Sequence, residues 1–382
     1  MKSPVVLLAL LGTASGHVLA QQSVTLYGVI DANIEYVNHL SAIPPGQTGF
    51  PGPAKSRISL NSGGLSGSRW GMRGVEDLGG GLSAVFVLES GFSVDDGKSQ
   101  QSGRLFGRQG YVGLQSKDIG QFSFGRQYTT IFQLLANFQP TSYATQYEPV
   151  TVLTGLNFRS DNMAVYAGTF GPLTAQLHWT FGNGASSVNP SGGGSGEVAG
   201  QFRRDSGYGA GVAYAAGPIG ATVVYDQYNP SVSLGGGAFG TGTVRKAAVA
   251  ASYTYGPTKM MAGYRWGQNK NADSSLALRD DYYWAGVNYQ ATSAVGLSLE
   301  YIYQKIKTIN SAPSTLSNPW QLAFIADYSA SKRTDLYLTA AYACHAGLAL
   351  DQSTVDANAA GYGLPARARS MLGAAAGIRH KF

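Results

Sequence analysis

The side chains that most often carry catalysis or bind metals are few in this chain and far apart. It has one cysteine, Cys344, and five histidines, which are His17, His39, His178, His345 and His380. The histidines lack the spacing of a metal site, and the sequence contains neither a nucleophile elbow nor a P-loop. Residues 235–240 match a dinucleotide fingerprint, but no helical pattern follows them, as that fold would require. The sequence therefore predicts no enzyme, no cofactor and no metal site.

Charged side chains that alternate with apolar ones are stronger candidates for chemistry. Because successive side chains of a strand point to opposite faces, Arg69 faces away from Trp70 and Met72. The same reasoning places four more charged residues on the polar face of their strands: Arg73, Glu89, Arg104 and Arg265. Charges along a wall of low dielectric constant concentrate counter-ions beside it. The chemistry predicted here is electrostatic.

The composition does not resemble that of an average soluble globular protein. The chain has 382 residues with 52 glycines and 23 tyrosines, and only 13% of its residues are charged. Length alone allows two soluble domains or one large barrel. The basic excess is modest and no run of Lys or Arg is present, so we expect no nucleic-acid partner. A single cysteine permits no intrachain disulfide.

The first 20 residues have the pattern of a signal peptide. Lys2 precedes an apolar run over residues 5–11, and Ala20 ends the segment as a small residue at a cleavage site. A transmembrane anchor would need roughly 20 apolar residues, and this stretch is shorter and interrupted. We therefore expect residues 1–20 to be cleaved and residues 21–382 to form one exported domain with a formal charge of +5.

Many later segments of about ten residues alternate apolar with polar side chains, which is typical of membrane-spanning strands. In one of them, Leu299 and Tyr301 share a face and Glu300 and Ile302 share the other. Short turns alternate along the chain with long connections, which predicts sixteen strands. Within hydrocarbon each unpaired backbone group costs several kcal/mol, so the sheet must close on itself. The fold class predicted is an all-β, sixteen-stranded antiparallel transmembrane β-barrel.

Aromatic residues near strand ends could supply the two interfacial girdles of such a barrel, although some of them could instead be lumen or loop residues. The candidates are Tyr27, Trp70, Tyr111, Tyr225, Trp266, Trp284, Trp320 and Tyr342. The last segment places Leu372, Ile378 and the final Phe382 on one parity.

Six segments resemble the general-diffusion porins of Gram-negative bacteria, especially those of beta-proteobacteria. They are VTLYGVID at 24–31, SRWGMRGVEDLG at 68–79, GRLFGRQ at 103–109, GRQY at 125–128, SKRTDLY at 331–337 and GIRHKF at 377–382. This resemblance implies an outer-membrane homotrimer, surrounded by lipid, in which each subunit passes small hydrophilic solutes. It also implies that Phe382 is an assembly signal read by the barrel-assembly machinery.

The resemblance further implies a pore constriction. The third external loop, residues 129–155, would fold inward, and its stretch 131–135 could form a short helical turn against the wall. The family's basic ladder aligns with Arg69, Arg108 and Arg159, and Glu148 would be the one acidic residue of the loop. Three arginines against one glutamate predict a weak preference for inorganic anions. Arg73, Glu89, Arg104 and Arg265 would tune the potential of the wall.

An alternative keeps the barrel but makes it a substrate-specific channel or a surface adhesin. The Gly/Ser-rich segment 182–200 has the composition of a solvated loop, which suits surface variation better than a ligand pocket. No track of aromatic residues of the kind that favours a sugar channel is evident. General diffusion is the interpretation that these features favour.

Overall fold

A computed structural model describes residues 23–45, 47–155, 158–183, 196–236, 238–352 and 361–382. The signal peptide predicted over residues 1–20 lies outside these ranges and stays a prediction. None of the helices in the described ranges is long and apolar enough to cross a membrane.

Sixteen antiparallel strands form the barrel wall, which confirms the predicted fold class. In chain order they are β1 (Ser23–Ser41), β2 (in two segments, Ala54–Ser62 and Arg69–Gly79), β3 (Leu82–Gly91), β4 (Gln109–Ser116), β5 (Gly120–Tyr128), β6 (Arg159–Phe170), β7 (Leu173–Thr180), β8 (Gly207–Ala216), β9 (Ile219–Tyr228), β10 (Thr243–Tyr255), β11 (Thr258–Lys270), β12 (Leu276–Gln290), β13 (Val295–Ile309), β14 (Trp320–Ser329), β15 (Thr334–Cys344) and β16 (Ser370–Lys381).

Shorter elements lie in the loops. They are helices α1 (Thr130–Leu135) and α2 (Val150–Thr154), 3-10 turns at Ala136–Phe138 and Leu348–Leu350, and short strands at Ser231–Gly235, Ala238–Thr241 and Ala312–Pro313. Seven turns of two to four residues alternate with eight loops of five to thirty residues between the barrel strands. The predicted alternation is confirmed. The shortest of these loops, at 271–275, lies between β11 and β12.

The barrel closes where β1 meets β16. Residues 29–37 pair with residues 373–381 in antiparallel register. Beyond that register the amide of Gly28 donates to the carbonyl of Phe382, and the Phe382 amide donates back, each at 3.1 Å. The Phe382 ring covers Gly28 so closely that a Cβ there would lie 2.2 Å from it. Glycine is therefore required at position 28. The role of Phe382 as an assembly signal stays a prediction, which assembly assays of a Phe382 deletion would test.

The two faces of the wall follow the predicted alternation. On β13, Leu299 and Tyr301 are exposed while Glu300 and Ile302 are buried. Five of the eight aromatic candidates lie on the exposed outer parity: Trp70, Tyr225, Trp266, Trp320 and Tyr342. The girdle prediction was wrong for the other three, because Tyr27, Tyr111 and Trp284 lie on the inner parity of their strands, where each finds polar partners.

Strand β2 is interrupted at residues 63–68, a break that the sequence analysis did not predict. Asp31 of β1 holds this break: its carboxylate accepts hydrogen bonds from the amides of Gly64, Leu65 and Ser66 at 2.8 to 3.0 Å. The Tyr337 hydroxyl donates to the same carboxylate at 2.5 Å. Backbone donors that leave the ladder are thus satisfied by one buried acid.

We predict that Asp31→Ala destabilises the barrel by about 3 kcal/mol, because three amide donors and one hydroxyl lose their acceptor inside the wall. Urea unfolding in detergent micelles, followed by tryptophan fluorescence, measures this change. Asp118→Ala, in the exposed turn between β4 and β5, is the matched control and should change stability by less than about 0.5 kcal/mol. Equal midpoints for the two variants would contradict the role given to Asp31.

Candidate functional site

The loop between β5 and β6 packs against the inner side of the wall. The helical turn predicted over residues 131–135 is confirmed as α1. Apolar side chains of the loop and the wall form one buried cluster, which includes Ile131, Leu135, Phe138 and Leu153 of the loop and Val224, Tyr282, Trp284 and Ile302 of the strands. Burial of apolar surface therefore holds a loop that has little regular structure.

Wall side chains also bind the loop's backbone carbonyls. Four such hydrogen bonds, 2.6 to 2.8 Å long, run from a wall side chain to a loop carbonyl: from Trp284 to Phe138, from Asn288 to Pro140, from Gln321 to Tyr147 and from Arg265 to Val152. These donors come from β11, β12 and β14. An irregular backbone buried in a membrane protein needs such partners, because unpaired carbonyls are costly there. These bonds fix the loop to β11, β12 and β14, and Gln146 of the loop also donates to Asn33 of β1.

The opposite part of the wall carries an arginine cluster, which we define as Arg69, Arg108 and Arg159 with Glu89. The Nε of Arg108 lies 2.7 Å from one Glu89 carboxylate oxygen, and the Nε of Arg69 lies 3.6 Å from the other. Tyr27 donates its hydroxyl to Glu89 at 3.0 Å. Arg69 on β2 and Arg108, in the loop directly before β4, thus meet at one carboxylate on β3.

Tyr128 connects the third arginine to the other two. Its hydroxyl accepts a hydrogen bond from Arg108 at 2.9 Å, and the Arg159 guanidinium lies 4.9 Å from its ring centre. Phe132 of α1 stacks on the Tyr128 ring at 4.5 Å. The guanidinium of Arg159 also covers the Phe158 ring at 4.6 Å. Aromatic rings therefore hold Arg159 without neutralising its charge.

The cluster has a net charge of +2, since three guanidinium groups face one carboxylate. The side chain of Arg69 is 26% exposed and that of Arg108 is 10% exposed. The Nε of Arg159 has no hydrogen-bond partner among the described residues. The net positive charge of the site can therefore attract an anion.

Glu148 does not lie opposite these arginines. This corrects the prediction that Glu148 is the acidic residue of the pore constriction. It is buried at the contact between the loop and β13, where the Thr141 hydroxyl bridges the Glu148 and Glu300 carboxylates. With its amide oriented to donate, Gln139 reaches an oxygen of each glutamate at 3.2 Å. Glu89, expected only to tune the wall potential, is the acid that contacts the arginines.

The remaining predicted lumen charges differ in what they contact. Arg73 lies on the inner parity of β2, with its guanidinium 5.7 Å from the Tyr27 ring. Arg265 is fully buried, forms a bidentate ion pair with Asp280 and holds the loop carbonyl of Val152, so it is a structural anchor and not a free wall charge.

Arg104 does not lie on a strand but in the loop before β4, where it pairs with Asp161 at 2.7 Å. Arg126 reaches the same carboxylate at 2.6 Å. Sequence reasoning missed Arg126, Asp161 and Tyr128 as members of this region. The GRQY segment at 125–128 was a usable signal, since it carries two of these three residues next to the long loop.

In the described part of the chain, no group of three His, Cys, Asp or Glu side chains is placed to hold a metal ion. His178 is used structurally: its Nδ1 accepts a hydrogen bond from the Thr130 amide at 3.1 Å and lies 2.8 Å from the Thr130 hydroxyl.

The pKa of the Glu148 carboxyl is raised well above its ordinary range, first by burial and then by the neighbouring Glu300 carboxylate. A group whose pKa is raised on docking stabilises the docked loop fully below its ordinary pKa. That stabilisation is lost as the pH rises through the raised value. Alkaline pH should therefore loosen the loop.

We predict that single-channel current noise of the wild-type chain in planar bilayers increases as the pH rises from 5 to 9. Glu148→Gln mimics the protonated acid and should weaken this pH dependence, while Glu300 remains beside the loop. Glu197→Gln, an exposed glutamate in another loop, is the matched control and should behave like the wild type. Identical pH profiles for Glu148→Gln and the wild type would show that this carboxyl does not control the loop.

Comparisons with known proteins agree with this architecture. A family model described as Gram-negative porin matches residues 7–344. The chain is 32% identical over 374 residues to an outer membrane porin protein of Bordetella pertussis, covering 90% of this chain and 94% of the relative. It is 30% identical to outer membrane porin protein 32 of Delftia acidovorans over the whole of both chains.

Among solved structures, the fold is similar to an anion-selective porin from Comamonas acidovorans. The TM-score is 0.74 with 26% identity, and the match covers 95% of this chain and 100% of that one. The outer membrane protein OmpT of Vibrio cholerae shares the fold at a TM-score of 0.63 with 13% identity.

Proposed function

Because this chain belongs to the Gram-negative porin family and is an outer-membrane β-barrel, we propose that its pore prefers anions. Small hydrophilic solutes diffuse through the pore passively, and no chemical step is involved. The observation that supports this preference is the arginine cluster with its net charge of +2, which faces a loop whose one acidic residue is buried elsewhere. The solved relative described as anion-selective supports the same direction.

The loop segment 141–146 separates two water-accessible cavities. On the side of the short turns, a cavity of about 490 Å³ is lined by Thr141, Ser142, Lys259, Asp327 and Arg379 among others. On the side of the long loops, a cavity of about 340 Å³ is lined by Arg57, Asp95, Gln146 and Tyr362 among others. Residues of this segment therefore help to line both cavities.

The physical basis of the preference is Coulomb attraction in a narrow, partly desolvated passage. Two unit charges 4 Å apart interact by about 4 kcal/mol at an effective dielectric constant near 20, against about 1 kcal/mol in bulk water. A net cationic wall therefore raises the local concentration of anions and lowers that of cations. Glu89 reduces this effect, since its carboxylate cancels one of three positive charges.

We predict that Arg69→Gln/Arg159→Gln shifts the zero-current potential in a potassium chloride gradient. The wild type should show the sign of an anion-selective channel, and the double variant should show a value near zero or of the opposite sign. Removing two of three positive charges leaves the cluster neutral. Planar-bilayer recordings at neutral pH measure this shift, and Arg333→Gln, in the exposed turn before β15, is the matched control that should leave the potential unchanged.

Glu89→Gln provides a test of the opposite sign. The variant should be more anion-selective than the wild type, because three arginines then have no carboxylate beside them. A cation preference of the wild type, or the same zero-current potential in all four proteins, would show that the arginine cluster does not set the selectivity.

We also propose that three copies of this chain assemble in the membrane, in keeping with a neighbour solved as a trimer form. The outer faces of β1, β2 and β16 form an aliphatic surface suited to subunit contact, with exposed Leu26, Ile34, Ile58, Leu60 and Ile378. We predict a mass of three chains by native mass spectrometry. Ile34→Arg/Leu60→Arg should give single chains, whereas Leu177→Arg/Val223→Arg, on β7 and β9, should leave the trimer intact.

A further inference from the structure

The break in β2 is longer than a β-bulge. Ala32 of β1 pairs with Ser62, and Val29 pairs with Arg69. Two residues of β1 thus stand opposite six residues of β2, residues 63–68, which we call the β2 insert. A bulge usually adds one residue to a strand, whereas six residues in place of two add four. Because four is an even number, both segments of β2 keep the same inner and outer faces.

Asp31 holds the β2 insert at both of its ends. The Gly63 amide donates to the Asp31 carbonyl at 2.7 Å. The Ser68 hydroxyl donates to the same carbonyl at 3.1 Å and accepts the Asp31 amide at 3.0 Å. Between these ends, the Asp31 carboxylate accepts the amides of residues 64–66. Asp31 and Ser68 are both fully buried, so the insert has one defined position.

The β2 insert lies inside the barrel, beside the loop between β5 and β6. Leu65 is buried with Ala144 of that loop and with Tyr337, which is on the inner parity of β15. The amide of Gln146, also in the loop, donates to the Gly64 carbonyl at 3.1 Å. The insert therefore reaches from the wall to the loop.

The β2 insert and the loop line the same two cavities. Leu65 and Ser66 line the cavity of about 490 Å³ together with loop residues 141–142. Gly63 lines the cavity of about 340 Å³ together with Gln146 of the loop. Each element thus contributes residues to both cavities.

The end of the β2 insert contacts the arginine cluster. Arg69 donates through Nη1 to the Gly67 carbonyl at 3.1 Å. A Cβ at position 67 would lie 3.1 Å from Nη1 of Arg108, so a larger residue there would press on that guanidinium group. Two of the three arginines of the cluster therefore lie against the insert.

We propose that the β2 insert forms the wall's part of the pore constriction. Joining the two segments of β2 requires only two residues, and the four additional ones are fixed by a buried carboxylate at the level of the arginines. Together with the loop, the insert narrows the lumen, and it positions Arg69 and Arg108. The first role concerns pore width alone, whereas the second rests on the anion preference proposed above. Asp31 is a positioning residue, since it is fully buried and acts through the insert.

Deletion of residues 64–67 tests the proposal, because Gly63 and Ser68 can then continue the ladder opposite Asp31 and Ile30. In planar bilayers, we expect this variant to have a larger single-channel conductance than the wild type and to admit larger neutral polyethylene glycols. Its zero-current potential should move towards zero, since Arg69 and Arg108 lose their support.

Deletion of residues 314–317 is the matched control. It removes four residues from the long loop between β13 and β14, which line neither of the two cavities. Conductance and exclusion limit should stay those of the wild type. Equal conductance and equal exclusion limits in all three proteins would overturn the proposal.

Ser66→Cys/Cys344→Ser gives a second test that keeps the chain length and decides the matter if the deletion variant does not fold. A thiol reagent that adds a negative group should shift the zero-current potential towards cation preference. A reagent of the same size that adds a positive group should shift it the other way. Thr315→Cys/Cys344→Ser, labelled in the long loop, should respond to neither reagent. A labelled Ser66 variant with an unchanged potential, or one that cannot be labelled, would show that the insert does not border the solute pathway.

These measurements separate the two proposals. A wild type without anion preference, together with a larger conductance of the deletion variant, would refute the proposed selectivity and leave the β2 insert as part of the constriction. An anion-selective wild type, together with a deletion variant of unchanged conductance and potential, would refute the role of the insert alone.

Discussion

Backbone hydrogen bonding within hydrocarbon is the constraint on which this structure depends. A strand edge cannot stay unpaired there, so the sheet must return to its first strand. β1 meets that need by pairing with both segments of β2 along one edge and with β16 along the other. Closure then decides where polar side chains can go, because the outer parity faces lipid and the inner parity faces the lumen.

The arrangement inside the barrel follows from the same requirement. The loop between β5 and β6 brings unpaired carbonyls into the lumen, and wall side chains such as Trp284, Asn288 and Gln321 donate to them. These donors occupy one side of the wall. The arginine cluster occupies the other, where Glu89 and the Tyr128 ring hold the guanidinium groups without cancelling their charge. The main donors to the loop carbonyls and the arginine cluster thus lie on different parts of the wall.

Sequence periodicity was sufficient to predict the strand number, the turns and the inner or outer parity of most strands, since each depends on local pattern. It could not place Tyr27, Tyr111 or Trp284, because an amphipathic ring suits both a membrane interface and a polar lumen. Nor could it place Glu148, whose partner Glu300 is far away in sequence and is brought near only by the folded loop. The break in β2 was missed for the same reason, since it depends on Asp31 and Tyr337 of other strands.

The seam between β1 and β16 determines the order of events as the protein is made. These strands pair residue 29 with residue 381 and residue 37 with residue 373, so the first barrel strand to emerge must wait for the sixteenth. Contacts between such distant segments form slowly, because a long loop of chain must close first. Until then the free edges of β1 and β16 stay unpaired. The nascent chain therefore needs protection in the periplasm against pairing with other chains.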